Sequence, residues 1–258
     1  VEPWPFNKKK DQKPKAKLSK EAKKKLSQRW EQDGVETIVD DFSDAKDILA
    51  AGVTKLNWSG LLGSQEGTTA DRIEAADGQL WMQCSEGRYQ EPWTPLGPFL
   101  YKSIQCDFRA TVRVEEYESL SFNNCGIMAR VGDLGEAGKG EDWISIDYFP
   151  LYSGVYARHA NDGRRSEPGN SGQGKKADKY LQLEKAGDLF FLRHSPDGKN
   201  WAELDCSPIQ RKDLEDVELQ VGLFQSTYSK NQAQVSFDDF TLELLSDSKV
   251  APLNVEEK

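Results

Sequence analysis

From Val35 onward the chain follows a two-residue rhythm. Short apolar or alternating runs recur along it: ETIVDDF, GQLWMQC, SIQCDFRATVRVEEY, CGIMARV, WISIDYF, SGVYARH, KYLQLEK, DLFFLRHS, NWAELDC, VELQVGLFQS and QVSFDDFTLELL. Successive side chains on a strand point to opposite faces, so this period marks strands rather than helices. Turn residues separate the runs: Asp77-Gly78, Asn161-Asp162-Gly163, Lys185-Ala186-Gly187-Asp188 and Ser195-Pro196-Asp197-Gly198. In the last of these, Pro sets φ and Gly accepts φ > 0, which predicts a hairpin with Trp201 entering the core after the turn. Many short strands with few helices between them predict an all-β, two-sheet antiparallel sandwich. The chain has 258 residues with 7 Trp, 8 Tyr and 11 Phe, enough to fill one large core.

The charge divides the chain differently. Residues 1–30 hold eleven Lys/Arg against three Asp/Glu, a net of +8, leaving −17 on the remainder of a chain whose total is −9. An acidic body excludes nucleic acid as the main partner, because phosphate contacts need positive charge. No run of about 18 apolar residues is present, so no transmembrane helix is expected. Residues 1–16 are rich in Lys and Pro and read as a tail. Leu18, Ala22, Leu26 and Trp30 then recur at four-residue spacing, which predicts a short amphipathic helix. Ser19 is its expected N-cap and Asp33-Gly34 its stop. The organisation expected is therefore a basic tail with a helix over 1–34, a sandwich over 35–246 and a polar tail over 247–258. The tail reads as a solvated linker or as a contact for an anionic membrane or cell wall. No charged-then-apolar leader precedes Val1, which fits an exported chain (secreted, periplasmic or in the cell envelope) whose signal has been removed, or a trimmed one. Cys84, Cys106, Cys125 and Cys206 allow three disulfide pairings, or four buried thiols; none has CxxC spacing.

Four segments carry a family resemblance. They are DDFS (Asp40–Ser43) with Trp58 and DGQLWM; PFLYKSIQCDFRATVRVE; CGIMARVGD followed by EDWISIDY; and FLRHSPDGKNW with VGLFQS and FDDFTLEL. In this order, over residues 38–245, the chain resembles bacterial concanavalin A-like lectin/glucanase domains. These are related to the C-terminal sandwich of β-xylosidases and to laminin G-like jelly rolls. The resemblance implies a jelly-roll sandwich associated with carbohydrate-active proteins.

Alternation on the middle strands selects candidate ligand-binding residues. Met128 and Arg130 share one face, with Ile127, Ala129 and Val131 on the other. Trp143, Ser145 and Asp147 oppose Ile144, Ile146 and Tyr148, and Tyr156 and Arg158 oppose Val155, Ala157 and His159. With the aliphatic faces inward, Arg130, Trp143, Asp147, Tyr156 and Arg158 form an outward strip of rings and planar polar groups. Such a strip suits a polysaccharide or oligosaccharide. Trp93, in the loop Tyr89–Trp93, is a further aromatic platform or packs on the body.

Catalysis finds less support. Glycoside hydrolysis needs two carboxyl groups across the scissile bond. In Glu141-Asp142-Trp143-Ile144-Ser145-Ile146-Asp147 only Asp147 lies well inside the strand. A lyase would need Tyr148, Tyr156, Arg130, Arg158 and His159 to converge. His194 opens the SPDG turn and reads as a surface residue. Binding is therefore favoured; a hydrolase or lyase on the same strip and a laminin G-like protein-interaction domain are the alternatives. Asp40-Asp41 and Asp238-Asp239 lie in the first and last strands, which commonly pair in sandwiches. If they meet, a structural calcium is the expected remedy for their repulsion; otherwise they are separate solvated acids.

Overall fold

The structure is a computed structural model. It describes residues 18–31, 35–44, 46–48, 56–62, 70–84, 97–118, 123–132, 142–150, 154–162, 164–166, 173–227 and 233–245. The first strands are β1 (Val35–Asp40), β2 (Lys46–Asp47), β3 (Gly60–Leu62), β4 (Ala70–Ala76), β5 (Gln79–Cys84) and β6 (Phe99–Ile104). The middle ones are β7 (Asp107–Tyr117), β8 (Asn124–Val131), β9 (Trp143–Phe149), β10 (Gly154–Asn161) and β11 (Arg164–Ser166). Then come β12 (Tyr180–Ala186), β13 (Leu189–Ser195), β14 (Ala202–Glu203), β15 (Ile209–Gln210), β16 (Leu219–Ser226) and β17 (Ala233–Leu245).

They form the expected two-sheet antiparallel jelly-roll sandwich. The ten-stranded sheet runs β14-β13-β12-β7-β17-β5-β4-β2, with β1 on β17 and β15 on β13. The seven-stranded sheet runs β11-β10-β9-β8-β16-β6-β3. The alternation in β7 shows why the sheets pack. Phe108, Ala110, Val112 and Val114 enter the core, while Arg109, Thr111, Arg113 and Glu115 face out. Opposite them, Ile127, Ala129, Ile144, Ile146, Val221 and Leu223 come from the smaller sheet. Each fully buried Val, Leu, Ile or Phe contributes roughly 1.5–3 kcal/mol, so this interface dominates stability. Cys84, Cys106, Cys125 and Cys206 are all free thiols.

The N-terminal stripe forms α1 (Lys20–Gln28), continued by a 3-10 turn over Arg29–Glu31. Ser19 caps it, its side chain accepting the Ala22 N–H at 3.0 Å. Asp33-Gly34 lies outside the described residues. The helix is not a solvated linker. Leu26 and Leu18 pack on Ala186, Leu189 and Phe191, on the outer side of the larger sheet. Trp30 Nε1 donates to Glu184 at 2.9 Å, and Arg109 stacks 4.6 Å from the Trp30 ring.

Other expectations are corrected. His194 is not a surface turn residue. It is buried on the core side of β13, with Nδ1 3.0 Å from Asp178 Oδ2, because the turn begins one residue later. Trp201 is half-buried and outside the core, since β14 does not begin until Ala202. The stretch 164–176 is not all loop: β11 pairs with β10, and Gln173 bridges Val155, because the edge of the smaller sheet still offers hydrogen-bonding groups.

The SPDG hairpin forms as expected, with Arg193 opposite Glu203. Asp197 accepts the N–H groups of Lys199 and Asn200 at 2.9 and 2.8 Å, which hold its carboxyl well below its ordinary pKa of 3.8. Two outcomes follow. Trp30→Ala should lower the urea unfolding free energy by about 3–5 kcal/mol, whereas a solvated linker would give a change within about 0.5. A depressed carboxyl stabilises fully above its unfolded-state pKa and loses that contribution as pH falls through the folded one. Wild type should therefore exceed Asp197→Asn in urea stability at about pH 6, and the gap should close towards about pH 2.

Candidate functional site

In an antiparallel sandwich the outer face of a sheet is ordinarily polar and solvated. The smaller sheet departs from this: every residue of β9 is buried, on both faces. The registers explain what lies on its outer side. Asp147 stands opposite Gly126 and Tyr156, Ser145 opposite Met128 and Arg158, and Trp143 opposite Arg130 and Ala160. Across β16, Phe224 lies between Gly126 and Phe99, and Gln220 between Arg130 and Ser103.

Five of the sequence-derived residues thus share this face: Arg130, Trp143, Asp147, Tyr156 and Arg158. They are not an open strip, however, being only 1–7% exposed. Asp147 is the hub. Its carboxylate accepts from Ser145 Oγ at 2.6 Å, from Asn124 Nδ2 at 3.0 Å and from Arg158 Nη1 in a short ion pair. Arg158 also lies over the rings of Tyr156 and Phe149, at 5.3 and 5.8 Å. Burial pushes the Asp147 carboxyl up, outweighing Arg158 and the two hydrogen bonds that favour its charged form. Beside this network lies an apolar cluster of Phe99, Met128, Trp143, Ala160 and Phe224, with Tyr101 and Leu62 packed against it.

Two glycines shape the floor between the polar and aromatic halves. A Cβ on Gly126 would stand 2.0 Å from the Ile146 carbonyl oxygen, and one on Gly222 1.9 Å from that of Leu100. Neither position tolerates a side chain. Accessibility then changes across the face. It is closed over β8, β9 and β10, but Tyr101, Ser103 and Gln220 are half-buried at its other side. Tyr101 stacks on Phe99 with ring centroids 5.5 Å apart. Asn124, Phe99, Tyr101, Gln220 and Phe224 were missed from sequence, although Phe99-x-Tyr101-x-Ser103 has the same alternation that selected the others.

Trp93 lies outside the described residues. Tyr148 and His159 point to the core side, away from Arg130, Tyr156 and Arg158, so the lyase constellation is split between two faces. Among the described residues of the outer face, Asp147 is the sole carboxylate. The four aspartates considered for a cation do not gather, although the first and last strands pair. Asp40 faces Phe240 in the ladder and accepts from Trp58 Nε1 at 3.2 Å. Asp41 accepts from Ser43, while Asp238 and Asp239 both accept from Arg113. Among the described residues no group of three or more His, Cys, Asp or Glu could hold a metal ion.

A buried ion pair that loses one member leaves an uncompensated charge. Asp147→Ala should therefore lower unfolding free energy in urea by about 3–5 kcal/mol, and Asp147→Leu with Arg158→Met should cost far less.

Comparison with solved structures supports a concanavalin A-like sandwich. A functionally unknown protein from Saccharomyces cerevisiae aligns at 20% identity and TM-score 0.50, covering 83% of this chain and 100% of its own. The xylan β-1,4-xylosidase of Bacillus halodurans C-125 aligns at 14% identity and TM-score 0.58, over 81% of this chain but only 39% of the xylosidase. A non-specific endo-β-1,3(4)-glucanase of family GH16 aligns at 10% identity and TM-score 0.50, over 83% and 93% of the two chains. These likenesses concern the fold. No curated protein matches the sequence. The family model DUF1349, described as a protein of unknown function, matches residues 73–244, which include β5 to β16 and the strands that build the buried outer face. The chain therefore belongs to the DUF1349 family.

Proposed function

We propose that the chain binds a polysaccharide or oligosaccharide on the outer face of its seven-stranded sheet and does not cleave it. The observation that carries this reading is the accessible margin of Tyr101, Ser103 and Gln220, backed by the buried aromatic cluster and the Asp147–Arg158–Ser145–Asn124 network. Sugars present flat apolar faces ringed by hydroxyls. Aromatic surfaces next to hydrogen-bonding groups already held in place suit both at low entropic cost. The ligand rests on the β6–β16 margin of this face, where Tyr101, Ser103 and Gln220 are half-buried and accessible. The structural neighbours named for xylan and β-glucan chemistry guide the choice of ligands to test. Binding without cleavage fits a face whose described residues supply one carboxylate where hydrolysis ordinarily uses two.

The test is affinity electrophoresis and calorimetry against soluble xylan, laminarin and mixed-linkage β-glucan, with a reducing-end assay in parallel. Wild type should bind at least one polymer and release no reducing ends. Tyr101→Ala should weaken binding about tenfold or more, equivalent to about 1.4 kcal/mol, when assayed well below the melting temperature of the variant. Absence of binding across a broad glycan panel, or binding indifferent to Tyr101, would overturn the assignment. Release of reducing ends would replace it with a hydrolase.

A further inference from the structure

The larger sheet carries a charged cluster that glycan binding does not use. Beneath the last turn of α1, Arg29, Asp107 and Lys185 meet where β7 begins and β12 ends. They are 5%, 5% and 4% exposed. Two cations share one carboxylate there. Arg29 Nη2 forms a short ion pair with Asp107 Oδ2, and Lys185 Nζ lies 3.3 Å from Oδ1. The Gly187 N–H donates to the same Oδ1 at 2.8 Å, and Lys185 also donates to the Glu215 carbonyl at 2.7 Å. Among the described residues, Nε and Nη1 of Arg29 are buried without a hydrogen-bond partner. The Trp30 ring, 5.7 Å from the guanidinium carbon, offers them only a π face. The carboxylate of Glu215, an exposed residue, approaches from the rim: its Oε1 is 3.8 Å from where a Cβ on Gly187 would stand.

The three buried groups carry a formal charge of +1, and their donors outnumber their acceptors. Burying unmatched donors and net charge is unfavourable. A species that only accepts hydrogen bonds and carries one negative charge corrects both. We propose that this seat binds a small monovalent inorganic anion, chloride being the obvious one, held by Arg29 between α1 and the start of β7. The two orphan donors are wholly buried, so only a compact ion can reach them with the helix in place; a phosphate or a charged polymer would need the helix to lift. Since α1 covers the seat, anion binding and helix docking stabilise each other.

The experiment is thermal unfolding of the full chain with chloride exchanged for gluconate at fixed ionic strength. Above saturation, each tenfold rise in chloride should raise Tm by roughly 3–5 °C. Arg29→Met leaves Asp107 and Lys185 as a matched pair, so it should abolish the chloride response and match or exceed wild-type Tm in gluconate. Lys185→Met leaves Arg29 paired with Asp107 and should also abolish the response, which covers the case of one variant failing to fold. Crystals in bromide should show anomalous density beside Arg29. A wild-type Tm indifferent to the anion, a response retained in both variants, or bromide found only elsewhere would overturn the proposal.

Discussion

Packing of the two sheets against one another sets the terms for everything else. Phe108, Ala110, Val112, Phe237 and Leu242 of the larger sheet meet Ile127, Ile144, Ile146 and Val221 of the smaller one in one continuous core. Each strand has only two faces, so every residue that fills this core commits its neighbours to the opposite side. The outer sides then become the places where polar chemistry has to be resolved.

The two outer sides resolve it differently. On the smaller sheet one carboxylate, Asp147, is matched by one guanidinium, Arg158, and two neutral donors. That arrangement balances charge and keeps hydrogen-bonding groups fixed beside aromatic rings. On the larger sheet, under α1, Asp107 faces two cations, and among the described residues part of the Arg29 guanidinium is left without acceptors. Desolvation makes imbalance expensive in both places, since an unpaired buried charge costs several kcal/mol. The balanced network is therefore self-contained, whereas the unbalanced one carries the excess of buried donors on which the anion proposal rests.

The helix lies outside the residues matched by the family model, which begin at Ile73, whereas the network around Asp147 lies within them. The helix is held to the matched residues by contacts to β7, β12 and β13. Its attachment combines apolar packing at Leu26 with directional bonds at Arg29 and Trp30. The basic helix over Lys20–Gln28 is consequently joined to the acidic body by a defined interface.

What the chain declares locally survives in the structure. Alternation identified β1, β5, β7 to β10, β12 to β14, β16 and β17 but not β2, β3, β4, β11 or β15, and local signals gave the faces of β8, β9 and β10, the helix with its Ser19 cap, and the SPDG hairpin, because each depends on residues a few positions apart. Burial was not legible in the same way. Whether Trp143 and Arg130 face water depends on what lies over the sheet, and the β9 sequence WISIDYF reads alike in either case. Partners were hidden for a related reason. Arg29 finds Asp107 across 78 positions and Trp30 finds Glu184 across 154, distances over which no periodicity carries information. The sequence alone thus determined which side of each strand a residue occupies, through the pleat. Only the tertiary structure decided which charges meet, which remain unmatched and where the sheet stays accessible, because those follow from the register and docking of distant segments.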